Sequence, residues 1–202
     1  LHVRSRRQRQ MCIRDRRSTV VFVEREIMNS VLMHMADGLI SVNIGVIFMI
    51  ISFIMIGFSI KKINQEHDDR KIPLMGVMGA FIFAAQMINF TIPGTGSSGH
   101  IGGGILLCLI LGQYPAFLSL CSVLIIQCLF FGDGGLLALG CNIFNMGILP
   151  CFVAYPLIVK PLLKKNITSS RVLLASILGV VVGLEMGAFA VVLQTLSLIH
   201  IS

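Results

Sequence analysis

Charged residues are scarce in this sequence, and tryptophan is absent. Only 12% of the 202 residues are charged, while 55% are hydrophobic and the mean hydropathy is +0.90. A soluble globular domain carries about 25% charged residues. The composition therefore argues against a soluble domain and predicts one integral membrane domain.

Motifs that serve catalysis are also missing. No GxxxxGK[ST] loop is present to cradle nucleotide phosphates, so any use of ATP must be supplied by another protein. No HExxH pair and no cluster of His and carboxylate ligands is present, which argues against an intramembrane metalloenzyme. The six cysteines form no CxxC pair, and five lie in or beside apolar segments, where a thiol behaves as a small hydrophobe. We therefore expect neither a disulfide framework nor a zinc site.

A basic leader accounts for most of the net charge of +7. Residues 1–32 hold eight Arg and three acidic residues, a net +5, so the charge does not point to a nucleic acid partner. Both ends of the chain resemble a translated transposase adapter of the kind used in sequencing libraries. We expect residues 1–32 to be an adapter-derived or upstream translated leader and residues 196–202 an adapter-derived scar, both outside the fold. A disordered basic tail is the alternative for the leader. The membrane-embedded subunit then covers residues 33–195.

Apolar runs follow one another from residue 39 onwards. A bilayer core of about 30 Å requires about 20 apolar residues in a helix. The run from Ile101 to Phe131 is too long for one span, and because Gly112 to Pro115 interrupt it we predict two short or tilted helices there. The predicted fold class is an all-α polytopic membrane protein with about six transmembrane helices. The other four spans are Leu39–Ile60, Pro73–Ile92, Asn142–Val159 and Val172–Thr195.

The distribution of Lys and Arg predicts the orientation of these spans. Basic residues in short loops mark the cytoplasmic side, so the loops 61–71 and 160–171 should both face inward. With two membrane crossings within Ile101 to Phe131, four crossings separate the two basic loops, which puts both loops on one side of the membrane. The same count places the segment around His34, the loop Gly94–Gly104 and the loop Gly132–Gly140 together on the outer face, where substrate would arrive.

The last span carries two features that each allow two interpretations. Gly179, Gly183 and Gly187 form a small-residue stripe, which serves either internal helix packing or contact with a partner membrane subunit. Glu185 in the same span is either a functional polar group or one that snorkels to the membrane surface, and we leave it out of the site.

His34 directly precedes the first span and follows Met33, which can serve as a start codon. If translation begins at Met33, its free amine, the deprotonated amide nitrogen of His34 and His34 Nδ1 close fused five- and six-membered chelate rings around one metal ion. A fourth nitrogen completes a square-planar site, which suits Ni(II) or Cu(II) and is also accepted by Co(II). Met28 is a rival start codon that would abolish the free amine.

His100 is the candidate for that fourth nitrogen. His2 and His200 lie in the expected leader and scar, and His67 lies in a predicted inner loop. Six glycines in Gly94–Gly104 admit backbone conformations closed to other residues, so the loop can fold back and present His100 to the start of the subunit. A lone loop histidine is more often an ordinary surface residue. Its predicted location on the same face as His34 favours metal binding.

Four segments at matching spacing resemble the CbiM/NikM family, the substrate-specific subunits of cobalt and nickel energy-coupling-factor (ECF) transporters. The resemblance covers Met33 to about Thr195. It implies that metal is bound by the Met33 amine, by the backbone nitrogen and ring of His34, and by His100. The four segments are Met33-His34 with Asp37-Gly38, Ala80–Phe90, Ser98-Gly99-His100, and Phe131–Met146.

The resemblance also implies the function and the partners. The chain would be the non-enzymatic substrate-capture (S) component of an importer for Co(II) or Ni(II) in a prokaryotic plasma membrane, with a link to cobalamin biosynthesis. Its expected partners are a transmembrane coupling (T) subunit, cytoplasmic ATPase subunits and a small accessory membrane subunit. The family usually continues through another helix beyond Thr195. The alternative function is a self-sufficient channel or secondary transporter for another solute.

Six polar residues at or near the outer ends of spans are candidates for orienting the metal ligands. A metal-bound imidazole usually donates its other N–H to a fixed acceptor. The alternative for each residue is to satisfy a helix end, since caps use the same residue types. The six are Asp37, Gln86, Asn89, Asp133, Asn142 and Asn145.

Overall fold

The computed structural model describes residues 34–66, 68, 70–88, 90–92, 97–164 and 167–199. The expected leader, Met33, His67 and Asn89 lie outside the described residues. A short 3-10 turn (Asp37–Leu39) precedes six helices, and one hairpin separates the second helix from the third. The helices are α1 (Val42–Glu66), α2 (Lys71–Gln86), α3 (Gly104–Leu111), α4 (Gln113–Phe131), α5 (Leu139–Lys164) and α6 (Ser169–Ile199), and the strands are β1 (Phe90–Ile92) and β2 (Ser97–Gly99).

Among the described residues four helices, α1, α4, α5 and α6, have the length and the apolar composition to cross a membrane. Helix α2 has 16 residues, and α3 has 8, which corresponds to a length of about 12 Å. The predicted fold class, an all-α polytopic membrane protein, is confirmed; about six transmembrane helices were predicted, and four of the six described helices are long and apolar enough to cross. Two of the six helices are shorter than a full bilayer crossing.

Helix α1 packs through small residues and turns its large apolar residues outward. Gly45, Ser52 and Ser59 are buried at a spacing of seven, which keeps them on one face. Ser52 Oγ donates to the Gly140 carbonyl at 3.1 Å, so α1 lies close against the start of α5. Phe53, on another face of α1, is 66% exposed. This is the reverse of a soluble amphipathic helix and is expected where the surroundings are lipid.

The interruption predicted in the long apolar run is confirmed. Gly112 alone separates α3 from α4, and its φ of +84° lies in the left-handed region that favours glycine. Pro115 lies in the first turn of α4, where a missing N–H leaves no helical hydrogen bond unmade. The two helices therefore pack against each other as separate elements.

The second span ends earlier than predicted. The expectation that a helix runs to Ile92 was wrong, because α2 ends at Gln86 and residues 90–92 form β1. Strand β1 pairs antiparallel with β2, with Phe90 opposite Gly99 and Ile92 opposite Ser97. Pro93 favours the extended backbone of Ile92, since a proline disfavours helical geometry in the residue before it. The hairpin ends at Gly99, directly before His100.

Helix α5 is longer than the predicted Asn142–Val159. Its middle part, Phe144–Val159, has the wider i→i+5 hydrogen-bonding pattern of a π-helix and contains Pro150 and Pro156. Each proline removes one N–H donor from the helix, so the pattern of turns is adjusted around it.

The glycine stripe of α6 serves internal packing. A side chain at Gly179 would meet Val159, one at Gly183 would touch Ala154, and one at Gly187 would meet the Asn145 carbonyl. All three neighbours belong to α5. Of the two interpretations left open by the sequence, the structure supports packing within the chain, because these glycines let α6 approach α5 closely.

Three polar segments meet at one end of the bundle, which we call the histidine end. His34 contacts Asp133, which follows α4, and Asp37 contacts Ala138, which precedes α5. Gln86 at the end of α2 contacts Gly102. The connections from α1 to α2 and from α5 to α6, which carry the basic residues, therefore lie at the opposite end. The predicted convergence of the three segments is confirmed.

Candidate metal centre

His34 is buried at the histidine end and faces one carboxylate through two of its nitrogens. Its backbone N–H donates to Asp133 Oδ1 at 3.1 Å, and its Nδ1 lies 2.9 Å from Asp133 Oδ2. His34 is 8% exposed and Asp133 6%. The amide nitrogen and Nδ1 thus lie on a common side of His34, while Nε2 is buried without a hydrogen-bond partner among the described residues.

His100 brings a second imidazole to the same place. Its ring centroid lies 5.1 Å from that of His34, and the ring planes meet at 61°. His100 Nδ1 donates to the Ile101 carbonyl at 3.3 Å. Because a carbonyl only accepts, this contact favours the tautomer with the proton on Nδ1 and the lone pair on Nε2.

A glycine lets the loop after α4 approach His34. Gly134 has a φ of +80°. A Cβ atom at Gly134 would lie 2.9 Å from Asn142 Nδ2 and 3.1 Å from His34 Cβ. The position therefore excludes a side chain both by its backbone conformation and by the space available.

Asn142 and Asp37 hold the segment that carries His34 against α5. Asn142 Oδ1 accepts from the Met35 N–H and its Nδ2 donates to the Met35 carbonyl, both at 3.2 Å. Asp37 Oδ1 accepts from the Ala138 N–H at 2.7 Å. These contacts satisfy backbone groups of Met35 and Ala138 and keep His34 beside Asp133.

Gln86 holds the chain just beyond His100. Its Nε2 donates to the Gly102 carbonyl at 3.1 Å, and its Oε1 accepts from Gln127 Nε2 at 3.0 Å. Both glutamines are fully buried. Sequence reasoning missed Gln127, although the signal was available: a single amide within an apolar span needs a partner inside the protein.

Asn145 forms a second amide pair, with Gln194 of α6. The two side chains exchange hydrogen bonds of 2.9 and 3.0 Å and join α5 to α6. Sequence reasoning also missed Gln194, although it too is a single amide within an apolar span and needs a partner inside the protein. Asn89, the remaining candidate, lies outside the described residues.

A cavity of about 590 Å³ lies beside the two histidines. Apolar residues of α3, α5 and α6 form most of its wall, and Asn142 and Asn145 also line it. Within the described part of the chain no group of three His, Cys, Asp or Glu side chains is arranged to hold a metal ion. A metal site here therefore needs ligands other than these side chains, such as backbone nitrogens.

Comparisons with known proteins agree with the architecture. Residues 34–201 match the CbiM family model, described as a cobalt uptake substrate-specific transmembrane region. A putative fused nickel transport protein NikMN of Archaeoglobus fulgidus is 44% identical over 123 residues, 61% of this chain and 40% of that protein. A cobalt transport protein CbiM of Acetoanaerobium sticklandii is 38% identical over 149 residues, 72% of this chain and 60% of that protein.

A solved structure of a truncated transition metal transporter is similar in fold, with a TM-score of 0.71 and 34% identity over 81% of this chain and 74% of that one. The chain spans 40% and 60% of the length of the two relatives named above. The helical membrane fold and the family match over most of the chain agree with each other. The chain therefore belongs to the CbiM family of cobalt and nickel transport proteins.

Proposed function

We propose that this chain is the substrate-capture component of an ECF importer for Co(II) or Ni(II), and that it binds the metal through Met33, His34 and His100. The observation that carries the proposal is the meeting of two imidazoles from separate segments, with ring centroids 5.1 Å apart. The relatives named for nickel and cobalt transport support these two metals as substrates.

The distance between the rings fits the proposed chelate. In fused five- and six-membered rings the His34 amide nitrogen occupies the middle position, between the Met33 amine and His34 Nδ1. The fourth ligand then lies opposite the amide and adjacent to Nδ1. With metal–nitrogen bonds of about 2 Å, two adjacent imidazoles have centroids about 4.5 Å apart and two opposite ones about 6.5 Å. The observed 5.1 Å is closer to the adjacent arrangement.

In this proposal Asp133 positions the two nitrogens of His34 that bind the metal, the amide nitrogen and Nδ1. The carboxylate receives the amide N–H and faces Nδ1, the two atoms that the chelate uses. Metal binding requires those nitrogens to lose their protons. In this proposal the metal replaces both protons, and Asp133 keeps the two donor atoms on one side of His34 until the metal arrives.

Three further contacts position His100 and the two chain segments that carry His34 and His100. The Ile101 carbonyl orients His100 by holding its Nδ1 proton, so Nε2 is the atom that binds metal. Gln86 fixes Gly102, two residues beyond His100. Asn142 fixes Met35, the residue after His34. The ligands are thus positioned by contacts from α2, from α5 and from the segment between His100 and α3.

Transport by this chain would depend on other subunits. The sequence has no phosphate-binding loop, so the energy would be supplied by cytoplasmic ATPase subunits through a transmembrane coupling subunit. Uptake of radioactive Co(II) or Ni(II) by cells that produce this chain with and without those subunits tests this point. Uptake that needs no partner would favour the self-sufficient channel or transporter instead.

Metal titration of the purified protein tests the site. We expect a chain that begins at Met33 to bind about one Co(II) or Ni(II) ion, since one set of four nitrogens is available. His34→Ala and His100→Ala should each abolish binding. His67→Ala is the matched control, because that histidine lies in the 61–71 loop, which the sequence predicts to face inward. Unchanged metal content in both site variants by elemental analysis would refute the site.

A further inference from the structure

Glu185 lies in the interior of α6 on the face that points away from the bundle. It is exposed, in a helix of 31 residues. Its neighbours one turn away, Val181 and Phe189, are 51% and 65% exposed. None of the described residues forms a hydrogen bond or ion pair with its carboxylate.

A carboxylate in this place needs a partner. Glu185 is about 20 Å along the helix from Val172 and about 15 Å from Thr195, the ends of the apolar run. Its side chain is too short to snorkel over such distances. Ionisable groups within membrane helices almost always face the bundle interior or pair with another group. Glu185 does neither within the described chain, so the partner is expected from outside it.

We infer that the surface around Glu185 is the docking site for a transmembrane helix of a partner subunit, and that this helix carries a Lys or Arg at the depth of the carboxylate. The surface, which we call the Glu185 face, contains Leu178, Val181, Glu185, Phe189 and Val192, spaced three or four residues apart. A cation is the partner that the negative charge selects, because charge-assisted hydrogen bonds are the strongest available to a carboxylate.

The packing of α6 leaves this face available. Gly179, Gly183 and Gly187 lie on the other side of the helix, against α5. Leu184 and Ala188, which border the Glu185 face, are exposed and line the cavity beside His100. A helix on the Glu185 face would therefore run along the edge of the cavity and bring the partner close to the candidate metal centre.

The inference rests on the proposed function only in requiring a membrane partner, and photocrosslinking tests it in the full chain. A photoreactive amino acid is placed at Val181 or at Phe189, with Phe53 on α1 as an equally exposed control. The chain is produced together with the proteins encoded beside its gene. We expect crosslinks from positions 181 and 189, but not 53, to a transmembrane helix that contains Lys or Arg within its apolar run.

Variants at Glu185 test the charge. Glu185→Leu should lower the crosslink yield about tenfold, the size that one polar contact between membrane helices supports. Glu185→Lys should lower it as well, and an acidic residue in place of the partner's cation should restore it. Metal binding by both variants should stay unchanged, so a failure of this inference is separable from a failure of the metal site.

Four results would overturn the inference. They are crosslinks only to lipid, crosslinks to a second copy of this chain or to another segment of the same chain, crosslinks to a helix without a basic residue, and a yield that Glu185→Leu leaves unchanged.

Discussion

Replacing Asp133 by Asn is the most informative single change at the candidate metal centre. The Asp133 carboxylate accepts from the His34 N–H at 3.1 Å and lies 2.9 Å from His34 Nδ1. An asparagine of nearly the same shape offers one acceptor oxygen and one NH2 group. With its oxygen toward the His34 N–H, its NH2 group would face Nδ1, and the contacts of a charged carboxylate would become those of a neutral amide.

The magnitude follows from the burial of both residues. A hydrogen bond to a charged group contributes about 1.5–3 kcal/mol and a neutral one about 1 kcal/mol, so the loss of the charge costs about 1–2 kcal/mol. We expect Asp133→Asn to lower the free energy of unfolding of the metal-free protein by that amount. Changing a residue that orients a metal ligand weakens metal binding about 10- to 100-fold, and we expect an effect of this size on Co(II) or Ni(II) affinity.

Asp37→Asn is the matched control. Asp37 is exposed, and its Oδ1 accepts from the Ala138 N–H, a bond that an asparagine oxygen can also accept. We expect a smaller loss of stability and a metal affinity close to that of the unchanged chain. The two measurements are thermal unfolding in detergent without metal and calorimetric metal titration. Equal effects of the two substitutions would refute the role given to Asp133.

Two further predictions concern the loop after α4 and the orientation of the chain. Gly134→Ala should destabilise the protein by about 1–2 kcal/mol and weaken metal binding, because the backbone has a positive φ and His34 and Asn142 leave no room. Gly38→Ala is its control in thermal unfolding, because an added Cβ there would have no neighbouring atom of the described residues within 4 Å. Equal losses in the two variants would contradict the argument. In a chain whose native cysteines are replaced, a cysteine at Ser98 should react with an impermeant maleimide from outside the cell. One at Gln65 should react only after the membrane is opened, and the reverse pattern would overturn the orientation.

The order of the helices and the end at which the polar segments meet could be predicted from the sequence. Apolar run lengths identify spans, and the basic loops at 61–71 and 160–171 require an even number of crossings between them. Gly112 and Pro115 indicated the break between α3 and α4. These are local signals, and each has a direct physical cause in the bilayer or in the backbone.

The hairpin after α2 was not predicted, because an apolar run of this length fits a span whether or not its last residues are helical. Asn89, Ile92 and Pro93 favour an extended or turning chain there. The high hydropathy of the segment nevertheless predicts a membrane span, and the prediction followed the hydropathy. The strand pairing of Phe90 with Gly99 depends on the loop between them, which sequence periodicity does not describe.

The partners of the buried amides could not be predicted either. Gln127 reaches Gln86 from another helix, and Gln194 reaches Asn145, so each pair joins residues far apart in the sequence. One member of each pair, Gln86 and Asn145, was predicted from the resemblance and from its place near a helix end. Only the packing of the helices reveals which amide meets which.

The central claim is that the amine of Met33 is a metal ligand, and a comparison of two chains that differ only in the residue at which they begin tests it most directly. One begins at Met33, and the other keeps residues 28–32. Joined to Leu32, the Met33 nitrogen becomes an amide and no longer offers a free amine to the chelate. We expect the longer chain to lose Co(II) and Ni(II) binding in calorimetric titration while its thermal stability without metal stays the same. Equal metal affinity in the two chains would contradict the account, since His34 and His100 would then bind metal without the amine.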